Sequence, residues 1–106
     1  MIKAKIFGQS RPAAGAAELL FSVPDGCNAQ GSIKAQNQSG SVDDLISIAL
    51  VPGGGTPTGV NWLPIYWTLN PGQVLERDFR IDAGGEVYVR SENGTSVFHA
   101  DGLEVS

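Results

Sequence analysis

The fold class predicted by this 106-residue sequence is all-β: a single-domain antiparallel β-sandwich of about eight short strands. Three observations carry that expectation. Apolar and polar residues alternate with a period of two over several stretches, as one buried face and one wet face require. Turn residues recur at short spacing, in Pro24-Asp25-Gly26, Asn70-Pro71-Gly72, Asp82-Ala83-Gly84 and Asn93-Gly94. No segment carries a sustained helical period. Immunoglobulin-like and jelly-roll-like strand orders both fit this pattern, and so does a small barrel.

Residues 2–7 alternate cleanly, with Ile2, Ala4 and Ile6 on one face and Lys3 and Lys5 on the other. Gly8 to Pro12 ends that strand, and residues 13–18 read as loop because Gly15 and Pro12 weaken a helical turn. Residues 19–23 form a strand stopped at Pro24-Asp25-Gly26, where Pro fixes φ and Gly supplies a positive φ. The organising element is expected to be a hairpin of residues 27–37 and 42–51 across the turn Gln38-Ser39-Gly40-Ser41. Its first strand sets Cys27, Ala29, Gly31, Ile33 and Ala35 against polar neighbours; its second is apolar on both faces, which predicts cover on both sides. A long Gly- and Pro-rich tip follows at 52–59. Residues 60–69 are extended and aromatic, and Pro64 assigns them to an edge or a bulge. Residues 74–81 place Leu75, Phe79 and Ile81 on one face and Glu76, Asp78 and Arg80 on the other. Residues 86–92 and 95–100 flank Asn93-Gly94, a dipeptide that favours a tight hairpin with positive φ at both positions. Residues 103–106 complete the set as a last short strand.

Composition narrows the function classes. A net charge of −4 argues against nucleic acid or an anionic membrane as the main partner. No run of about 18 apolar residues is present to span a bilayer as a helix. Cys27 is the only cysteine, so an internal disulfide framework is excluded and folding in a cytoplasm is expected. Such a small domain buries only about two thirds of its unfolded surface, which makes oligomerisation a natural source of added stability.

The chemical motifs reduce to structural ones. Gly53-Gly54-Gly55 lacks the Lys-Ser or Lys-Thr that a phosphate cradle needs. His99 is a lone histidine on an alternating strand and cannot build a zinc site by itself. Cys27 has no basic neighbour in sequence to activate its thiol, and Asp43-Asp44 lacks the spacing of a calcium loop and marks the mouth of a turn. No catalytic residue, metal ligand or cofactor site is therefore assigned, and the expected function is not enzymatic. The aromatic group Trp62, Tyr66 and Trp67 stands apart. It is either core filling or an anchor for a subunit or partner interface, with a carbohydrate-stacking platform ranked below.

Several motifs carry a family resemblance. Lys3-Ala4-Lys5-Ile6-Phe7-Gly8-Gln9, then Pro12-Ala13-Ala14, then Leu20-Phe21-Ser22-Val23-Pro24-Asp25-Gly26 resemble the opening of small virion proteins of tailed bacteriophages. The similarity continues at Ser47-Ile48-Ala49-Leu50-Val51-Pro52, at Gly85-Glu86-Val87-Tyr88-Val89-Arg90-Ser91 and at Gly102-Leu103-Glu104-Val105-Ser106. The resemblance implies a β-sandwich that serves as a capsid cement or decoration protein, often a homotrimer, with the major capsid protein or other virion proteins as partners. A small tail or baseplate accessory protein is the alternative, and a carbohydrate-binding module is the alternative from another class. The implied location is the virion, assembled in the bacterial host cytoplasm.

Overall fold

The computed structural model describes residues 1–53 and 67–106. The described residues form eight strands: β1 (Ile2–Ser10), β2 (Ala17–Ser22), β3 (Asn28–Asn37), β4 (Asp44–Val51), β5 (Trp67–Leu69), β6 (Val74–Ile81), β7 (Glu86–Ser91) and β8 (Ser96–Val105). They form two four-stranded antiparallel sheets, ordered β1-β8-β3-β6 and β2-β7-β4-β5. Only β4 and β5 are both consecutive and paired; every other connection between these strands crosses from one sheet to the other. Eight strands wound this way are a jelly roll, two Greek keys closed over one core. The chain is thus the predicted sandwich, and the jelly-roll order is the one it adopts.

The core lies between the sheets. β3 turns Ala29, Ile33 and Ala35 inward, and their neighbours Phe98 and Ala100 on β8 and Phe79 and Ile81 on β6 share that face. Ile46 and Ile48 on β4, with Val87 and Val89 on β7, oppose them from the second sheet. Phe7, Phe21 and Phe79 form an aromatic group with centroids 5.0 to 5.7 Å apart, joining β1, β2 and β6. Between β1 and β6 the inward positions are Gly31 and Gly102, a directly opposed pair. A Cβ on Gly31 would lie 2.0 Å from the Asp101 carbonyl oxygen, so the two backbones approach too closely for any side chain there.

Three expectations about connectivity are corrected. Strands β3 and β4 do not form a hairpin; β3 pairs with β6 and β8, and β4 with β5 and β7. Residues 38–43 carry the chain between sheets, and buried polar side chains at both ends hold that crossing. Asn37 donates from Nδ2 to the carbonyls of Val42 (2.8 Å) and Leu69 (3.0 Å), while its Oδ1 accepts from the Ser39 backbone (3.0 Å) and the Thr95 hydroxyl (2.9 Å). Asp44 accepts from the hydroxyls of Ser91 and Ser96 and, at 2.9 Å, from the Asn93 backbone N–H. Strands β7 and β8 likewise belong to opposite sheets, so Asn93-Gly94 makes a crossing turn. Only Gly94 has a positive φ, at 70°, because Asn93 is held by Asp44 and by its own Nδ2 bond to the Asp43 carbonyl (2.9 Å) instead of closing a two-residue loop. Finally, the segments expected at 95–100 and 103–106 are one strand, β8, which runs through Gly102. Of the strand expected at 60–69, Trp67–Leu69 is described as β5, while residues 54–66 lie outside the described residues.

Gly94 remains demanding in this new setting. A Cβ there would also sit 3.1 Å from the Ala14 backbone nitrogen. Gly94→Val is expected to cost on the order of 1 kcal/mol or more, read as a lower denaturation midpoint in urea. Superimposable melts of the variant and the parent would contradict this turn geometry.

Candidate docking surface

Of the three aromatic residues singled out in the sequence, Trp67 is the one described; Trp62 and Tyr66 lie outside the described residues. Trp67 pairs with Ile46 at the outer edge of the second sheet and packs against the core. The Arg77 guanidinium, from the edge strand β6 of the first sheet, lies 4.6 Å from its ring centroid. This cation–π contact joins the two sheets along one flank of the sandwich.

The remaining sequence candidates take structural positions. Cys27 is half-buried against the core. Asp44 is buried in the hydroxyl cluster described above, and Asp43 is exposed. His99 sits on the outward face of β8, its Nδ1 2.9 Å from Gln9 Nε2 and its Nε2 3.5 Å from an Asp101 carboxylate oxygen. A shallow depression of about 410 Å³ opens beside it, between Arg11, Gln9 and Val97. No cluster of three or more metal-ligating side chains occurs among the described residues.

The outward faces of the two sheets differ sharply. On the second sheet Ser47, Ala49 and Val51 point away from the other sheet yet are buried, which fulfils the expectation that this strand is covered on both sides. Tyr88 shares that face, and its hydroxyl titrates above the usual 10.0, first through desolvation, then through the negative charge of Glu86, and last through the hydrogen bond it donates to that carboxylate 3.5 Å away.

The first sheet is the opposite case. Register with β8 aligns Ile2 with Val105, Ala4 with Leu103 and Ile6 with Asp101, all on the outward face. Ile2 is 68% exposed, Ile6 61% and Leu103 36%, and Ala4 is exposed as well. The alternation of β1 alone does not say which face is buried, and the bulge settles it. The register shifts between Ile6 and Gly8, so Phe7 as well as Gly8 turns toward the core, and the apolar row ahead of them is left outside. Lys3 and Lys5 therefore occupy the face turned toward the second sheet, where Lys5 pairs with Glu104 at 2.8 Å and stands 5.7 Å from the Phe7 ring. Isoleucines outside and lysines inside invert the ordinary order for an amphipathic strand. A contiguous exposed apolar row of this kind is the mark of a contact surface.

Comparison of the chain with family models, curated proteins and solved structures returned no match.

Proposed function

We propose that this chain is a structural protein of a tailed-bacteriophage virion, a cement or decoration protein that docks on the capsid and resists its expansion. The observation that carries the reading is the outward apolar row Ile2, Ala4, Ile6 and Leu103 on the first sheet. Burying such a row against a coat surface gains about 25 cal/mol per Å² of apolar area and asks nothing of catalysis. A preformed sandwich loses little conformational freedom on docking, so more of that gain survives as affinity. The motif resemblance to small virion proteins and the jelly-roll architecture point the same way, although a fold by itself does not fix a function. The reading includes a homotrimer as the docking unit and no chemical step.

Mass spectrometry of purified particles, separated into heads and tails, tests this reading. The chain is expected in the head fraction at a fixed ratio to the coat protein, and the double variant Ile2→Ser, Ile6→Ser should fold but be lost from heads. Presence in tails alone would make it a tail accessory protein. Absence from particles, combined with binding on a glycan array, would replace the reading with a carbohydrate-binding module.

A further inference from the structure

We propose that the free edge of β1 receives an extended segment of a partner protein in which acidic residues alternate with apolar ones, added as a further strand of the first sheet. β1 ends its sheet, and among the described strands it is hydrogen-bonded to β8 alone. Its stretch Ile2 to Ile6, ahead of the bulge, is regular and presents two parallel rows to anything laid alongside. One row is Ile2, Ala4 and Ile6 on the outward face; the other is Lys3 and Lys5 on the opposite face. A strand pairing with this edge keeps side chains in phase, so its own residues must be apolar opposite the first row and compatible with cations opposite the second.

The molecule already contains one strand that meets this requirement. On the other side of β1, β8 sets Val105 and Leu103 against Ile2 and Ala4, and Glu104 against Lys3, with the Glu104 carboxylate reaching Lys5. The free edge shows the mirror of that pattern, and Lys3 is exposed beside it. The same lysines reject the alternative occupant, a second copy of β1. Antiparallel self-pairing about Ala4 would keep the apolar rows in phase but place Lys3 across from Lys5, and like charges directly opposite destabilise a sheet. Charge thus selects against self-association and for an acidic strand, with main-chain hydrogen bonds supplying affinity and the alternating side chains supplying choice.

The inference deepens the docking reading, and its main test needs no virion. Two capped peptides of about seven residues, one alternating Val with Glu and one alternating Val with Lys, are titrated into the ¹⁵N-labelled protein. The Glu peptide is expected to shift the amides of Ile2 to Ile6 and to bind at least about tenfold more tightly than the Lys peptide. Lys3→Gln, which removes the exposed charge without setting a second carboxylate opposite Glu104, should stay close to the parent melting temperature and lose most of that preference. Equal binding of both peptides, shifts confined to β5 or β6, or no binding with peptide on the order of 1 mM would overturn the inference. So would a dimer of the parent in light scattering whose dissociation on dilution shifts the amides of Ile2 to Ile6, since the edge would then belong to a second copy. Should head particles hold Lys3→Gln as firmly as the parent while the peptides show no preference, the edge inference fails and the docking reading stands.

Discussion

Asp44→Ala is expected to lower the unfolding free energy by about 3 kcal/mol or more. The Asp44 carboxylate is fully buried and accepts from the Ser91 hydroxyl, the Ser96 hydroxyl and the Asn93 N–H. Removing it leaves three donors without their acceptor at a place with little access to water, at a cost of about 1–3 kcal/mol for each group that finds no substitute. The loss should be cooperative, because Ser96 N–H also leans on Ser91 Oγ at 3.3 Å. Urea denaturation read by far-ultraviolet circular dichroism checks it. Asp43→Ala, one residue away and exposed, is the control and should stay within about 0.5 kcal/mol of the parent. A change below about 1 kcal/mol for Asp44→Ala would mean that the corner is held by its backbone alone.

Gly31→Ala carries the second large effect, about 3 kcal/mol, at the upper end of the usual range for overpacking. The added Cβ would fall 2.0 Å from the Asp101 carbonyl oxygen and 2.7 Å from the Gly102 Cα, both backbone atoms of a central strand. No rotamer change relieves that contact; β3 and β8 must part, and with them the ladder from Asn28–Val105 to Asn37–Ser96. Gly40→Ala is the contrast, since a Cβ there meets nothing within 4 Å. If Gly31→Ala and Gly40→Ala melt alike, the close approach of β3 and β8 is not a feature of the folded protein.

How far the fold was legible depended on what each residue pattern encodes. The alternation in 27–37 correctly gave the buried row Ala29, Ile33 and Ala35, because a pleat has a period of two whichever strand lies beside it. The continuous apolar run in β4 correctly gave burial on both faces. Neither pattern names a neighbour. Proximity in sequence favoured a hairpin between β3 and β4, whereas Asn37 and Asp44 steer the chain across to the other sheet. Both read locally as turn residues, and only their burial shows that they tie distant strands. The bulge at Phe7 was invisible for the same reason, since an extra residue in a strand leaves the composition unchanged and reverses which face is outside. The exposed apolar row is therefore present in the sequence as Ile2, Ala4 and Ile6 but cannot be assigned to solvent from it, whereas Trp62, Tyr66 and Trp67 stand out there by residue type alone. Of these, Trp67 lies at the flank under Arg77.

The pairing of Ile2 with Val105 has a consequence for how the protein is made. Among the described strands β8 comes last in sequence, and it lies between β1 and β3 in the first sheet. Until Ser96–Val105 has left the ribosome, β1 has no hydrogen-bonded neighbour in its sheet and β3 has only β6. The native first sheet therefore closes only after residues 96–105 have been made, and it closes by joining residues as distant in sequence as Ile2 and Val105. Such non-local closure is slow relative to local pairing. In the interval the nascent chain exposes the strand edges that β8 will cover, which makes the time between synthesis and closure the period of greatest exposure to aggregation.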